Sequence, residues 1–149
     1  MSEWVTTFQG VVLAYEYDGT SYMNSRLYSS RFDQATWLLL QSVGLTPASM
    51  QEKGLRIAIV RENFQFLHEL KGGELVRVRS GFLAVGKKYV RFLHQMLDGD
   101  GSTLLATCNI VAVQADLKTN RSVELSSELA ERAKAYLVTE NAPDRALPK

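Results

Sequence analysis

The sequence contains very few of the residues that build disulfides and metal sites. Its 149 residues include one cysteine, Cys108, and two histidines, His68 and His94. A single thiol cannot form an internal disulfide, and two histidines far apart in the chain do not have the spacing of a zinc site. We expect Cys108, inside the apolar run 104–113, to pack as a small apolar side chain in a reducing compartment. We expect His94 to pack in the core with one nitrogen satisfied.

The chain also lacks an excess of charge of either sign and any long apolar run. Lysine and arginine together number 17 against 16 aspartates and glutamates, which leaves a formal net charge of +1. This balance argues against nucleic acid as a partner. No segment has the length of a membrane span, and residues 2–9 do not have the pattern of a signal peptide. We therefore predict a cytoplasmic protein with no nucleic-acid and no membrane partner.

The composition does provide enough apolar residues for one globular core. Hydrophobic residues make up 46% of the chain and charged residues 22%. A chain of about 150 residues buries about 68–70% of the surface that its unfolded state exposes. Because no linker, repeat or low-complexity segment interrupts the pattern, we predict a single domain over residues 1–149. Its core is expected at about 7–137, followed by a polar C-terminal tail.

The first half of the chain reads as a strand followed by a long helix. Alternating apolar residues predict the strand over 7–18. Apolar residues at three- and four-residue steps predict a helix over 25–43 that ends at Gly44. The central stripe of this helix is Tyr28, Phe32, Ala35, Leu39 and Val43, and Leu27, Leu38 and Leu40 widen it. Because the stripe is wide, we expect the helix to be largely enclosed and Tyr28 to be a core residue.

The second half of the chain reads mainly as strands. After one or two helical turns near 47–53, four β-rich runs follow, at 55–66, 74–85, 88–97 and 103–115, and then a helix at 126–137. Turn-forming residues between the runs predict a meander of consecutive hairpins. The order of elements predicts an α+β fold in which a curled antiparallel sheet wraps around the long central helix.

The turn between the first strand and the long helix contains the residues best suited to catalysis. It spans residues 18–24, DGTSYMN, and leads into Ser25. The Asp18 carboxylate can attack a carbonyl directly or activate water as a general base. Backbone N–H groups at the helix start, those of Ser25 and Asn24 above all, can stabilise an oxyanion. Taken alone, an Asp-Gly pair is more often a simple turn, and Asn24 is equally suited to cap the helix.

The run 18–28 resembles the strand-to-helix signature of hotdog-fold thioesterases of the 4-hydroxybenzoyl-CoA thioesterase type. The positions that match the signature are Asp18, Met23, Asn24 and Tyr28. Tyr22 stands where this family often has histidine. The segment 71–78, a glycine and acidic step into a long strand, extends the resemblance to about residues 8–137.

The resemblance implies a hotdog fold and hydrolysis of an acyl-CoA thioester to a free carboxylic acid and CoA. The residues that it implicates are Asp18 and Ser25 in catalysis, and Tyr22, Asn24, Lys87 and Lys88 in substrate binding. The two lysines would meet the phosphates of CoA. Since CoA belongs to the substrate and product, no cofactor and no metal is implied. Family members form homodimers or homotetramers, so self-association is expected, and a small polar acyl group is favoured by analogy.

Other uses of the charged residues stay open at this point. Lysines in tight turns are usually just solvated. Arg77, Arg79 and Arg91 could form a basic strip for the ligand or cross-strand pairs with no ligand. Glu62 could face Asp18 across subunits, although solvent exposure on a half-exposed strand is the favoured interpretation.

Other functions also stay open. The main alternative is a hotdog module that binds acyl-CoA or an acylated carrier protein without cleaving it, because Tyr22 replaces the family's frequent histidine. A dehydratase-type hotdog is disfavoured, since those proteins generally have a histidine at the helix start.

Overall fold

The computed structural model describes residues 4–13, 25–70 and 73–139, with the backbone alone at 25 and 26. Within these residues the chain forms five strands and three helices. The strands are β1 (Val5–Val11), β2 (Leu55–Phe66), β3 (Leu75–Val85), β4 (Tyr89–Asp98) and β5 (Leu104–Asp116), and the helices are α1 (Ser25–Ser42), α2 (Pro47–Lys53) and α3 (Ser127–Lys134). All strand pairings are antiparallel. The predicted α+β class with an antiparallel sheet is confirmed.

The strands lie in the sheet in the order β1-β3-β4-β5-β2. β3, β4 and β5 form the predicted hairpins, but β2 pairs with β5 rather than with β3. The prediction of a four-strand meander in chain order was therefore wrong. The reason is that β1 occupies the other edge of β3, so that β2 is left with the outer edge of β5. Leu70, which follows β2, is completely buried.

Helix α1 packs one face against the sheet. The whole predicted central stripe is buried, with no side chain more than 4% exposed: Tyr28, Phe32, Ala35, Leu39 and Val43. Leu40 is buried as well, but Leu38 is 46% exposed and Trp37 is 44% exposed. Leu38 and Leu40 lie on opposite flanks of the stripe, and only the flank of Leu40 is covered. The expectation that Leu38 widens the buried stripe was therefore wrong, and α1 keeps an exposed outer face.

The end of α1 follows the predicted stop signal. Gly44, two residues after the last helical residue, has a φ of +91°, in the left-handed region that glycine adopts without steric cost. A side chain there would also collide with Arg132, whose guanidinium nitrogen would lie 2.5 Å from an added Cβ. The glycine thus both ends α1 and lets α3 approach its last turn.

A chain of buried polar side chains joins strands β1, β3 and β4 to α1. Thr7 Oγ1 lies 2.7 Å from Ser80 Oγ, and Ser80 Oγ lies 2.5 Å from His94 Nδ1. His94 Nε2 lies 2.8 Å from Thr36 Oγ1. Since the Thr36 hydroxyl donates to the Phe32 carbonyl at 3.0 Å, we assign the ring proton to Nε2, which donates to Thr36. Both ring nitrogens of His94 are hydrogen-bonded, whereas a single hydrogen-bonded nitrogen was predicted from the sequence.

Burial keeps His94 neutral at physiological pH. The side chain is completely buried, and burial lowers its pKa from 6.5 to about 3. The ring stacks on Phe32 with centroids 5.8 Å apart and meets the edge of Phe92 at 5.5 Å. The neutral imidazole therefore satisfies partners on the sheet and on α1 at once. This arrangement fixes how α1 lies on the sheet.

We expect the free energy of unfolding to fall as the pH drops below about 6.5. The unfolded chain protonates His94 near its ordinary pKa of 6.5, whereas the folded protein does so only near 3. Between these values the unfolded state binds more protons, so stability decreases with acidity, by at most about 1.4 kcal/mol per pH unit. Urea unfolding between pH 7 and pH 5 measures this slope.

Two variants separate His94 from other titrating groups. His94→Gln should flatten the slope, because glutamine does not titrate. His68→Gln replaces an exposed histidine and should keep the slope of the wild type. Equal slopes in the wild type and His94→Gln would show that His94 does not control acid stability.

Candidate active site

Most of the predicted catalytic turn lies outside the described residues. Asp18, Tyr22 and Asn24 all fall within residues 14–24. Ser25 is described through its backbone and is the first residue of α1. A helix start presents unpaired N–H groups and a partial positive charge. The roles of these four residues stay predictions, and the described residues near the start of α1 define their surroundings.

Tyr28 lies in the first turn of α1 and is held by the chain that follows β2. Its hydroxyl donates to the His68 carbonyl at 3.2 Å and is also hydrogen-bonded by the Leu70 backbone. Burial raises the pKa of Tyr28, and the negative charges of Glu69 and Glu74 raise it further, against the opposite effect of the Leu70 bond. Because the side chain is only 4% exposed, Tyr28 is a core residue, as predicted.

Aromatic rings from α1 and β2 form a cluster at this end of the sheet. The aromatic cluster consists of Tyr28, Phe32, Phe64 and Phe66. The rings of Tyr28 and Phe66 meet edge to face with centroids 5.3 Å apart. Phe64 lies parallel to Phe66 at 6.1 Å and contacts Phe32 at 6.1 Å. Phe32 is buried and Phe66 is 49% exposed, so the cluster opens to solvent at Phe66.

The register of β2 explains why the phenylalanines face α1. Phe64 pairs with Cys108 and Phe66 pairs with Ala106, and both partners are fully buried. Directly paired residues of antiparallel strands share a face of the sheet. Glu62 lies two residues before Phe64, shares this face and is exposed, as the favoured interpretation predicted.

Phe64 and Phe66 were not among the site residues predicted from the sequence. Their alternation with polar Asn63 and Gln65 was the available signal for a shared face. That signal does not say which face is covered by α1. The pairing of β2 with β5 determines that the face with Phe64 and Phe66 is the one that contacts α1.

Cys108 is a packing residue rather than a nucleophile. It is fully buried, and burial raises the pKa of its thiol to about 12, with a further rise from the charge of Glu62. The thiol stays protonated at neutral pH and is therefore a poor nucleophile and metal ligand. The expectation of a buried apolar role is confirmed.

Residues 4–13, 25–70 and 73–139 contain neither a candidate metal site nor a candidate membrane span. No group of three or more histidine, cysteine, aspartate or glutamate side chains there could hold a metal ion. No helix in these ranges combines the length and apolar character needed to cross a membrane.

Lys87 and Lys88 lie at the opposite end of the sheet from the aromatic cluster. They occupy the turn between β3 and β4, where the Lys88 carbonyl accepts a bond from the Gln114 backbone at 3.2 Å. Gln114 lies eight residues along β5 from Ala106, the partner of Phe66. At about 3.4 Å per residue this is roughly 27 Å. One protomer therefore does not bring these lysines next to the start of its own α1.

The ion pair of Lys87 is a surface contact. Its ammonium lies 3.8 Å from Glu124, and both side chains are largely exposed. Exposed pairs of this kind contribute little to stability, so Lys87 remains available to an anionic ligand. Its predicted contact with CoA phosphates stays a prediction.

The arginines of β3 make contacts within the chain. Arg79 Nε donates to Gln95 Oε1, its cross-strand partner, at 2.8 Å. The Arg79 guanidinium also lies 4.2 Å from the centre of the Trp4 ring. Arg77 donates to the Gly99 carbonyl at 3.2 Å. Arg79 thus makes a cross-strand pair, whereas Arg77 contacts the turn that follows β4.

Comparison with known proteins identifies relatives over nearly the whole chain. Residues 12–133 match the family model of the thioesterase-like superfamily. A betainyl-CoA thioesterase of Pseudomonas aeruginosa is 28% identical over 136 residues, which are 91% of this chain and 85% of that protein. The family-model match includes the turn 18–24 as well as α1.

Solved structures share the fold. A Staphylococcus aureus protein in complex with CoA has a TM-score of 0.85 at 18% identity, covering 99% of this chain and 98% of its own. A DHNA-CoA thioesterase from the same organism has a TM-score of 0.74 at 15% identity, covering 89% of this chain and 88% of its own. At these identities the likeness establishes the fold alone.

Proposed function

Because the chain belongs to the thioesterase-like superfamily, we propose that it hydrolyses an acyl-CoA thioester to a free carboxylic acid and CoA. The observation that carries the proposal is the family match over residues 12–133, which spans both the turn 18–24 and α1. We further propose one hotdog domain with a core of about 7–137. In it the 18-residue α1 is the central helix around which the sheet curls.

In the proposed reaction Asp18 acts on the thioester carbonyl. It either removes a proton from the attacking water or attacks directly to form an anhydride that water then hydrolyses. In both cases the carbon–sulfur bond breaks and CoA leaves as the thiol. Backbone N–H groups of Ser25 and Asn24 stabilise the oxyanion, for which one aimed donor is worth roughly 2.7–4 kcal/mol in known cases. Tyr22 and Asn24 contact the acyl group.

The proposed acyl group is small and polar. The Pseudomonas aeruginosa relative is named for betainyl-CoA, whose acyl group is a two-carbon chain that carries a trimethylammonium head. CoA is part of the substrate and product, and the proposed reaction needs no further cofactor. We also propose a cytoplasmic location.

We also propose that two copies of the chain associate through β2. This strand is 12 residues long and forms one edge of the sheet. Ile59 and Val60 are 42% and 59% exposed. A long edge strand leaves N–H and C=O groups free to pair with another strand, so a second copy is its proposed partner, in a homodimer or a homotetramer. Because Lys87 and Lys88 lie far from the start of α1 in one protomer, phosphate binding by them is proposed to occur across subunits.

Asp18→Asn should lower the turnover number by about 10² to 10⁴, because the amide cannot act as a base or nucleophile. The measurement is thiol release from a panel of acyl-CoA thioesters. Asp33→Asn, which replaces an exposed carboxylate on α1, serves as the control and should keep full activity. Acyl-CoA binding without thiol release, in the wild type and Asp18→Asn alike, would instead support the binding module.

Replacing both hairpin lysines, as Lys87→Gln with Lys88→Gln, should raise KM several-fold for acyl-CoA and leave kcat unchanged. The effect should shrink at high salt, because exposed charges are screened. Acyl-pantetheine esters, which lack the nucleotide phosphates, should show no change in KM. Lys53→Gln, on α2, is the control. An equal rise in KM for both ester types would rule out phosphate binding by the lysines.

Val60→Lys should weaken self-association, because a charge on an edge strand opposes strand pairing. Sedimentation at micromolar concentration should show a wild-type dimer or tetramer and a smaller species for the variant. Leu75→Lys, at a 60% exposed position on β3, is the control. A monomeric wild type would contradict the proposed interface.

A further inference from the structure

Arg31 is a buried cation on the side of α1 that packs against β1. Its side chain is 4% exposed. The guanidinium lies 5.4 Å from the centre of the Phe8 ring and donates to the Val11 carbonyl at 3.3 Å. Both of these partners belong to β1. Arginine is rarely buried unless specific groups compensate its charge, so these contacts restrict where this side of α1 can lie.

The Val11 carbonyl lies at the outer edge of the sheet. β1 is the end strand of the described sheet, and Val11 is its last residue. The next residue, Val12, donates its N–H to the Glu74 carbonyl at 2.9 Å and accepts from the Gly73 N–H at 2.8 Å. Because successive residues of a strand direct these groups to alternate sides, the Val11 carbonyl points away from β3. Arg31 therefore reaches the edge of the sheet and ties α1 to the end of β1.

Three side chains tie α1 to three different parts of the molecule. Tyr28 bonds the chain after β2, Arg31 bonds β1, and Thr36 bonds His94 of β4. Ser25, the first residue of α1, lies 11 residues before Thr36, which is roughly 16 Å along the helix. With Thr36 as the pivot, a tilt of roughly 4° moves the helix start by roughly 1 Å. Of these three ties, that of Arg31 is the one to β1, so it opposes a tilt of the helix start away from that edge.

We propose that Arg31 is a positioning residue, which holds the start of α1 where its backbone N–H groups stabilise the oxyanion. This inference rests on the proposed thioester hydrolysis and names a residue that supports the geometry of that site. Arg31 acts through the helix and not on the reacting atoms. A misplacement of about 1 Å can cost about 10²-fold in rate. Because the oxyanion forms only in the transition state, the loss belongs to kcat and not to KM.

Arg31→Met should lower kcat by about tenfold to a hundredfold and leave KM within about twofold of the wild-type value. Methionine fills much of the same volume but has neither the charge nor the hydrogen-bond donors. The measurement is the initial rate of thiol release at varied concentrations of the acyl-CoA that the wild type hydrolyses fastest, with folding checked by thermal unfolding. An unchanged kcat, or a loss that appears in KM alone, would overturn the assignment.

Arg79→Met is the matched control. The Arg79 guanidinium lies 4.2 Å from the centre of the Trp4 ring, and its Nε donates to Gln95 at 2.8 Å, so the variant removes the same two kinds of contact. Arg79 precedes Ser80, whose hydroxyl bonds His94 on the α1 side of the sheet, so Arg79 lies on the other face. Its kcat should therefore equal that of the wild type. An equal loss of kcat in both variants would show a general effect of weaker packing, and the positioning role would be wrong.

Phe8→Leu tests the same contact from the side of β1. It removes the ring next to the guanidinium and keeps Arg31, so kcat should fall by a smaller factor with KM unchanged. Combined with Arg31→Met it should cause no further loss, because both substitutions remove one shared contact. Losses that multiply in the double variant would contradict the proposal. If Arg31→Met does not fold, Phe8→Leu decides alone: a lower kcat at constant KM supports the proposal, and an unchanged kcat overturns it.

Hydrogen exchange gives a readout that does not require activity. The amides of residues 29–32 bond the carbonyls of the first turn of α1, residues 25–28. Arg31→Met should speed their exchange and leave the amides of residues 37–42 unchanged, because the tie at Thr36 remains. Arg79→Met should change neither group. Faster exchange along the whole helix in Arg31→Met would indicate a general loss of stability and would refute the positioning role.

The possible failures are distinguishable. Hydrolysis by the wild type with an unchanged kcat in Arg31→Met overturns the role of Arg31 and leaves the proposed hydrolysis standing. If the wild type releases thiol from no acyl-CoA of the panel, the proposed hydrolysis fails. Hydrogen exchange then decides whether Arg31 holds the helix start.

Discussion

The bond between neutral His94 and Thr36 is the constraint on which the rest of the molecule depends. It crosses from the sheet to α1 with both groups buried, at an Nε2 to Oγ1 distance of 2.8 Å. A buried polar group left unpaired costs about 1–3 kcal/mol, so few placements of the helix are tolerated. The placement that satisfies His94 also brings Tyr28 to the chain after β2 and Phe32 to Phe64. A contact in the middle of α1 thereby positions its first turn.

Local patterns predicted the elements well and their arrangement less well. The apolar run at 55–66 predicted β2 to the residue, because alternation and flanking turn signals are properties of the segment itself. The neighbour of β2 was predicted wrongly, because alternation does not encode which strand lies alongside. That choice depends on β1, which occupies the edge of β3. The exposure of Leu38 likewise depends on which element covers its flank of α1. The sequence of the helix does not encode that choice.

The residues of the candidate site also differ in whether a local sequence pattern could predict them. Asp18 and Ser25 were predicted from a motif, because a carboxylate next to a helix start is a local feature of the sequence, and their roles stay predictions. Phe66 was not found, because its face and its exposure follow from the register with β5. The second bond of His94 was also missed, since its partner Thr36 lies 58 residues earlier on α1. Residues whose roles arise from distant partners carry little local signal.

Strand β2 combines two features that are usually separate: its backbone forms an edge of the sheet, and its inner face carries half of the aromatic cluster. A backbone shift that altered the register or twist of this strand would move the edge and the phenylalanine rings together. Substitution of Phe64 or Phe66 can change the rings and leave the backbone edge in place, because the side chains and the edge N–H and C=O groups are separate parts of the strand. An insertion or deletion within the strand cannot do so, because a one-residue slip of register turns every following side chain to the other face of the sheet.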